Sequence, residues 1–184
     1  MSTTNIKDKH HQGYIDLPSL SNPKRISRFL PLISFNKQDL VIDAGCGMGL
    51  LLSLIHSKIK FYYGIDFSKE MFNRALNKQK QLNINNARFI CGDINNFCLK
   101  HKNEFDKAFA LDFSEHLDDQ DFMKIFSSLH FCLKPKGSLF IHTPNGEYFL
   151  EVFKKIGIMK SAPEHIGIRD KKRIYKIIQK SRFF

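Results

Sequence analysis

The sequence predicts an α/β fold with an open, mostly parallel, doubly wound sheet and helices on both of its faces. Short apolar segments typical of strands alternate with amphipathic segments typical of helices from residue 39 onward. The stretch LVIDAGCGMGL, residues 40–50, places glycines at three alternate positions between a strand pattern and a helix pattern. Acidic residues stand at the ends of the next two predicted strands. Such strand-end residues meet at one edge of a parallel sheet.

The elements follow one another in a regular order. Pro23 opens a short amphipathic segment that Pro31 is expected to interrupt. Ser68 suits an N-cap, and the LKPKG segment at 133–137 is expected to end a helix. We divide the chain into a polar segment with a cap helix, residues 1–35, and a ligand-binding domain, residues 36–184. The predicted strands are 39–44, 60–66, 87–93, 105–113 and 138–144, and the predicted helices are 48–57, 68–81, 119–133, 146–156 and 170–180.

Composition narrows the class of protein. The 184 residues carry a net charge of +11, and ten of the 29 Lys and Arg residues lie in 151–184. This charge is compatible with nucleic acid, an anionic membrane surface or an acidic substrate. The four cysteines lack CxxC spacing, and no apolar run approaches the roughly 20 residues of a membrane span. We expect a reduced cytoplasmic protein without a metal site, since the His10-His11 pair has no convincing partner for a metal.

The glycine stretch indicates a ligand. One or two glycines would make a tight turn, whereas three in register let the backbone approach a ligand at a helix N-terminus. The dinucleotide pattern GxGxxG would need glycine at position 50, where Leu50 stands, and this weakens a pyrophosphate site. Asp66 could accept hydrogen bonds from both hydroxyls of a ribose, and Asp93 from an exocyclic amine of a base. Each aspartate alone could instead cap a turn.

Five motifs share this organisation: DAGCGMG, YYGIDFS, CGDI, FDKAFALDFSEHL and LKPKGSLFIHTPN. In this order and spacing, over about residues 39–145, they resemble the class I S-adenosylmethionine-dependent methyltransferases. The most similar branch contains the ubiquinone-biosynthesis O-methyltransferases and related small-molecule enzymes. The resemblance implies a Rossmann-like methyltransferase fold, with S-adenosyl-L-methionine as the cofactor of the domain 36–184.

The resemblance also implies a role for each strand end. The glycine loop and Asp43 would surround the methionine part of the cofactor, and Asp66 would hold its ribose. Phe67 would pack on the adenine, Asp93 with Ile94 would contact the adenine amine and ring, and Leu111 would contribute backbone near the sulfonium. The cofactor-binding residues are then Asp43, Gly45, Cys46, Gly47, Gly49, Asp66, Phe67, Asp93, Ile94 and Leu111.

Candidates for acceptor chemistry follow the fourth predicted strand, in LDFSEHL: Asp112, Glu115 and His116. His116 suits a general base for a hydroxyl, although a packing or capping role is an equal alternative. His142 is expected to be a hydrogen-bonded structural histidine. The resemblance would lead one to expect a [DN]PP[YF] stretch in an enzyme that methylates amines of bases or of glutamine, and a Pro-Cys pair in one that methylates C5 of pyrimidines. The chain has neither. We therefore predict methyl transfer to a small-molecule acceptor at oxygen.

Two alternatives stay open. An RNA methyltransferase could use the basic C-terminal region, but Ile174, Ile177 and Ile178 look core-facing, which favours a solvated basic helix face. A catalytically silent, cofactor-binding partner subunit is the other alternative. The resembled fold ordinarily closes with an antiparallel strand pair after the helix at 170–180, and only SRFF follows here. Either the sheet is truncated there or the fifth strand is an exposed edge that needs covering, and we expect the chain to be marginally stable alone or to self-associate through that edge.

Overall fold

The computed structural model describes residues 22–143 and 167–180. Within this part of the chain, five strands form one parallel sheet in the order β3-β2-β1-β4-β5. The strands are β1 (Leu40–Ala44), β2 (Phe61–Asp66), β3 (Ala87–Cys91), β4 (Phe105–Leu111) and β5 (Leu133–His142). The helices are α1 (Lys24–Ser27), α2 (Leu50–Ile55), α3 (Lys69–Gln81), α4 (Ile94–Cys98), α5 (Asp119–Cys132) and α6 (Lys171–Lys180), with 3₁₀ turns at Leu30–Leu32, His56–Lys58 and Ser114–His116.

Apolar residues bury both faces of the sheet, as a parallel sheet requires. Along β1, Ile42 belongs to a core cluster with α4, α5 and α6, whereas Val41 belongs to a second cluster with α1, α2 and α3. Strand residues alternate between the two faces. The doubly wound α/β fold is therefore confirmed. Ile177 lies in the first cluster, with Ile174 and Ile178 packed against it, and this confirms the expected core-facing side of α6.

Several local predictions are also confirmed. The Ser68 hydroxyl accepts a hydrogen bond from the Met71 N–H at 3.3 Å and caps α3. The segment around Pro31 is interrupted, because α1 ends at Ser27 and a separate 3₁₀ turn begins at Leu30. The helix α2 is shorter than the predicted helix 48–57. It begins after Gly49, because that residue has a left-handed φ of +72°, and a 3₁₀ turn follows its end at Ile55.

The start of the fifth strand differs from the prediction. The helix α5 ends at Cys132, but LKPKG belongs to β5 rather than to a loop. Phe105 pairs with Leu133 and Lys107 pairs with Ser138, so the extra residues on β5 form a bulge. Lys136 lies in this bulge with a φ of +67°. The remaining strand and helix ends agree with the predictions to within about two residues, the usual uncertainty of such boundaries.

Some predictions fall outside the described residues, namely the helix 146–156, the polar segment 1–21 with its two histidines, and the last four residues. Within 22–143 and 167–180, no helix has both the length and the apolarity to cross a membrane. No group of three His, Cys, Asp or Glu side chains suited to a metal ion occurs there either.

Candidate functional site

The loop between β1 and α2 contains three glycines with left-handed backbone: φ is +67° at Gly45, +52° at Gly47 and +72° at Gly49. L-residues with a Cβ rarely adopt these angles. A Cβ on Gly45 would lie 2.4 Å from the Phe113 ring, and one on Gly49 would lie 2.6 Å from the Phe89 ring. A Cβ on Gly47 would meet nothing within 4 Å. Gly47 therefore faces open space, and the other two glycines allow tight packing around it.

Asp66, the last residue of β2, holds the glycine loop in place. One carboxylate oxygen accepts a hydrogen bond from the Gly47 N–H at 2.9 Å, and the other accepts one from the Ser68 N–H at 2.8 Å. The Gly45 N–H donates to the Ile65 carbonyl at 2.9 Å. A carboxylate has about four acceptor positions. Asp66 can therefore organise the loop and still accept hydrogen bonds from a ligand hydroxyl.

Asp43 lies beneath this loop and is only 3% exposed. The Tyr62 hydroxyl donates a hydrogen bond of 2.5 Å to its carboxylate. The pKa of Asp43 is raised to about 7: burial is the largest cause, the Tyr62 hydrogen bond opposes it, and the negative charge of Asp66 adds a smaller rise. Asp43 is therefore a buried residue of β1, hydrogen-bonded to Tyr62 of β2.

A cavity opens at the carboxyl ends of the strands, bounded by the loops after β1, β2, β3 and β4 and by α1. Most of the predicted site residues lie on its wall, as the topology of a doubly wound sheet requires. Among the described residues, Asp43, Gly49 and Glu115 are predicted site residues that the wall does not include. Those it does include are Gly45, Cys46, Gly47, Asp66, Phe67, Asp93, Ile94, Leu111, Asp112 and His116.

Asp93 has two roles at the cavity. Its carboxylate accepts a hydrogen bond from the Asn96 N–H at 3.0 Å and caps the short helix α4. The capping role that the sequence left open is therefore confirmed, and it coexists with a place on the cavity wall. Ile94 and Met71 are buried next to this part of the wall and make it apolar.

Asp112, the first residue after β4, is held from several directions. Its N–H donates to the His142 carbonyl at 2.8 Å, and its carboxylate accepts hydrogen bonds from His142 Nδ1 at 2.6 Å and from the Arg25 guanidinium. Burial alone would raise the pKa of Asp112, but the His142 hydrogen bond and the Arg25 charge outweigh burial and keep this pKa below its ordinary value. Asp112 is therefore ionised at neutral pH.

His142 has the structural surroundings expected for it. The hydrogen bond to Asp112 raises the pKa of its imidazole, and the ring stacks on Phe29 with 5.0 Å between centroids. Asp112 also has a φ of +49°, a strained angle for an L-residue. The hydrogen bonds to His142 and Arg25 hold the residue in this conformation.

The 3₁₀ turn Ser114–His116 is buried throughout. His116 lies on the cavity wall, whereas Glu115 is 2% exposed and accepts a hydrogen bond from the Thr143 hydroxyl at 3.2 Å. Burial, with a smaller contribution from the charge of Asp112, raises the pKa of Glu115 to about 7. The two acids after β4 therefore differ: Asp112 is ionised at neutral pH, whereas Glu115 keeps its proton until the pH approaches about 7.

Sequence reasoning missed two arginines. Arg25 extends from α1 to the cavity wall, and Arg169 lies buried against the turn that carries Glu115. Arg25 stands in an amphipathic segment rich in basic residues, and Arg169 stands in the basic C-terminal region, so neither has a local signal. Phe113, which packs on Gly45, lies within the LDFSEHL motif and could have been considered there.

The family described as "Methyltransferase domain" matches residues 41–137. This range covers more than half of the chain and includes the glycine loop, the strand-end aspartates and the turn after β4. The chain belongs to the methyltransferase-domain family. The resemblance to class I S-adenosylmethionine-dependent methyltransferases is thereby confirmed.

Individual relatives agree with this assignment. The Ubiquinone biosynthesis O-methyltransferase of Coxiella burnetii is 32% identical over 140 residues, which cover 75% of this chain and 57% of that relative. The chain thus spans little more than half the length of the relative. The solved structure of the YcgJ protein from Bacillus subtilis has a TM-score of 0.73 at 18% identity, covering 87% of this chain and 68% of that one.

A SAM-dependent methyltransferase structure from Archaeoglobus fulgidus has a TM-score of 0.68 at 20% identity and covers 86% of this chain and 66% of that one. At these identities the solved structures support the fold alone. Together with the sheet order, they show that the methyltransferase domain has the Rossmann-like arrangement expected from its motifs.

Proposed function

We propose that this methyltransferase domain transfers a methyl group from S-adenosyl-L-methionine to a small-molecule acceptor, at oxygen. One observation carries the proposal. A single wall at the carboxyl edge of the sheet joins the glycine loop, Asp66 and Asp93 to the turn that holds His116. The first group suits a nucleoside that carries an amino acid, and His116 in the turn suits the role of a proton acceptor next to it.

The charges on the wall support a cofactor without phosphate groups. Among the described residues of the cavity wall, four carboxylates face one arginine: Asp66, Asp93, Asp112 and Asp121 against Arg25. A polyphosphate ligand would be repelled by this arrangement, whereas a sulfonium and an ammonium group would be attracted. The open space beside Gly47 gives a bound molecule direct access to the backbone of the loop.

The residues present can hold the parts of such a cofactor. Asp66 would accept hydrogen bonds from the ribose, while Phe67 and Ile94 would pack on the adenine and Asp93 would accept a hydrogen bond from its amine. When bound, the cofactor supplies an electrophilic methyl group on a sulfonium. The protein then has to align the acceptor and exclude water, and the apolar wall residues Leu111, Phe113, Leu117 and Ile125 suit that task.

We assign His116 as the proton acceptor for the hydroxyl of the methyl acceptor. It lies on the cavity wall on a buried turn, and imidazole is a common general base. Asp112 is committed to Arg25 and His142, so it supplies a fixed negative charge rather than a mobile base. Glu115, in the same turn, is buried away from the cavity wall and accepts a hydrogen bond from the Thr143 hydroxyl.

Calorimetry tests the cofactor. Wild-type protein should bind S-adenosyl-L-methionine and its demethylated product, and should not bind a nicotinamide dinucleotide. Asp66→Asn should bind either ligand at least tenfold more weakly, because a hydrogen bond to a charged group contributes roughly 1.5–3 kcal/mol. Glu70→Gln is the matched control, since it removes a carboxylate that pairs with Arg74 on α3. If the protein bound only the dinucleotide tightly, the proposed function would instead be that of an oxidoreductase.

Turnover tests the acceptor chemistry. A panel of phenols, other alcohols and amines is incubated with S-adenosyl-L-methionine, and release of the demethylated product is followed. Methylation of a hydroxyl should fall by about 10²-fold in His116→Gln, the lower range of general-base contributions. His56→Gln changes a histidine in the turn before β2 and should have no effect. Methylation of amines only would contradict transfer to oxygen.

The cytoplasmic location suggested by the cysteine pattern stays a prediction, and a nucleic-acid partner stays an alternative that the sequence does not favour. Self-association through the edge of β5 is likewise a proposal. It is supported by the position of β5 at the end of the sheet, since within the described residues its hydrogen-bonding neighbour is β4.

A further inference from the structure

We propose that Arg169 is a positioning residue for the active-site turn after β4, so that the segment at residues 167–170 completes the acceptor side of the site. This segment lies beyond the part of the chain that matches the methyltransferase family. The consequence for catalysis rests on the proposed function. The effect on the turn itself does not.

The guanidinium of Arg169 contacts both ends of the turn. Its Nη1 donates to the Ser114 carbonyl at 2.9 Å, and its Nη2 donates to the Leu117 carbonyl at 2.7 Å. Its Nε donates to the Asp119 carboxylate at 2.9 Å, in the first turn of α5. One side chain therefore fixes the beginning of the turn, its end and the helix that follows.

Burial makes these hydrogen bonds hard to replace. Arg169 is only 2% exposed, and its guanidinium lies over the Phe122 ring, 4.7 Å from the centroid. Without the guanidinium, the Leu117 carbonyl would lose its described donor in a place that water reaches poorly, and the Ser114 carbonyl would keep only the 3.3 Å hydrogen bond from the Leu117 N–H. A buried polar group left without a partner is costly, so the turn would rearrange to find new donors.

Gly167, two residues before Arg169, packs closely against the same turn. Its N–H donates to the Glu115 carbonyl at 2.8 Å. A Cβ at this position would lie 1.9 Å from the Leu117 carbonyl oxygen and 2.5 Å from Arg169 Nη1. Any side chain at position 167 would therefore push the segment away from the turn.

The turn held in this way carries the residues that face the acceptor. His116 lies on the cavity wall, between the two residues whose carbonyls Arg169 binds, and Leu117, one of those two, lies on the wall beside it. A displacement of about 1 Å can reduce a rate by roughly 10²-fold when it misaligns reacting groups. The glycine loop and Asp66 belong to the β1 and β2 ends of the sheet and make no described hydrogen bond to Arg169.

The test compares Arg169→Met with Arg173→Met. Arg173 also donates to Asp119, at 2.7 Å, but its side chain is 59% exposed and has no described hydrogen bond to a carbonyl of the turn. The imidazole NMR resonances of His116, assigned with His116→Gln, report the turn directly. Calorimetry with the demethylated cofactor reports the other half of the site.

Arg169→Met should shift and broaden the His116 resonances and change the affinity for the demethylated cofactor by less than about threefold. Arg173→Met should leave both unchanged. In turnover, kcat should fall by about 10²-fold in Arg169→Met with little change in the KM for S-adenosyl-L-methionine, and Arg169→Lys should recover part of the loss. If Arg169→Met does not fold, Arg169→Lys and Gly167→Ala take its place, and both should move the His116 resonances.

Unchanged His116 resonances in these variants would overturn the proposal. So would an equal loss of cofactor binding, because Arg169 would then support the whole fold rather than the turn. If wild-type protein methylates nothing in the panel, the proposed function fails. The NMR comparison still decides whether Arg169 positions the turn.

Discussion

Replacing Glu115 with glutamine removes a buried ionisable group with almost no change in size, and should stabilise the domain at high pH. Glu115 is 2% exposed, and burial raises its pKa from 4.5 to about 7. Glutamine keeps an oxygen that can accept the hydrogen bond from the Thr143 hydroxyl. The substitution therefore tests the charge of Glu115 rather than its packing.

The direction in which stability changes with pH follows from the protons bound by the folded and unfolded states. Between pH 4.5 and pH 7 the folded protein keeps the Glu115 proton, whereas the unfolded chain loses it. The free energy of unfolding of the wild type should thus fall as pH rises through this window, and it should level off above pH 7. A difference of about 2.5 pKa units corresponds to about 3 kcal/mol at 1.36 kcal/mol per unit.

Urea unfolding of both proteins at a series of pH values provides the assay. The gain in stability of Glu115→Gln over the wild type should grow by about 3 kcal/mol from about pH 4.5 to about pH 8. Glu70→Gln is the control, because the Glu70 side chain is 42% exposed and pairs with Arg74 on α3. Its difference from the wild type should stay small across the series.

Parallel curves for Glu115→Gln and the wild type would refute the reasoning. Glu115 would then have the same pKa in the folded and unfolded states. A variant that is less stable than the wild type at pH 8 would also contradict it, because the buried carboxylate would then contribute favourably in its ionised form.

Three further predictions concern the rest of the site and the sheet. Asp43→Asn should also gain stability as pH rises toward about 7, since burial raises the pKa of Asp43; curves parallel to the wild type in urea unfolding would contradict this. Gly47→Ala should cost roughly 1–2 kcal/mol of stability, the usual cost of left-handed backbone, and its Cβ should weaken cofactor binding in calorimetry by more than tenfold. An unchanged affinity would show that Gly47 does not face the ligand. The mass from sedimentation should rise with protein concentration if copies pair through β5, and a concentration-independent monomer would exclude that pairing.

The sheet and its functional edge could be predicted because their signals are local. The apolar run Leu40–Ile42 followed by alternate glycines identifies a buried strand and a turn that needs left-handed backbone. Asp66 and Asp93 end the next strand patterns, and topology alone brings such residues to one edge. The structure therefore places both of them on one wall with the glycine loop.

The start of β5 could not be predicted in the same way. Pro135 and Gly137 are typical of a segment that ends a helix, and α5 does end just before them. Whether the following residues form a loop or a bulged strand depends on the pairing of Leu133 with Phe105. That contact joins residues 28 positions apart and leaves no periodic pattern in LKPKG.

The contacts of Arg25 and Arg169 could not be predicted either, because their partners are far away in the sequence. Arg25 binds Asp112 across 87 residues, and Arg169 binds the Leu117 carbonyl across 52. A pattern of basic residues in an amphipathic segment favours a solvated position for each of them. The packing of α1 brings Arg25 to Asp112, and the packing of the C-terminal segment against the turn after β4 brings Arg169 to the Leu117 carbonyl.

The different charges of the two acids after β4 suit the proposed reaction. Positive charge disperses when a methyl group leaves a sulfonium, so unpaired carboxylates beside it would stabilise the reactants more than the transition state. Arg25 and His142 offset the charge of Asp112, and burial keeps Glu115 largely neutral below pH 7. Of these two acids, Asp112 alone lies on the cavity wall, and its carboxylate is paired. The residues that set this balance come from α1, β5 and the buried turn, outside the glycine motif by which the family is recognised.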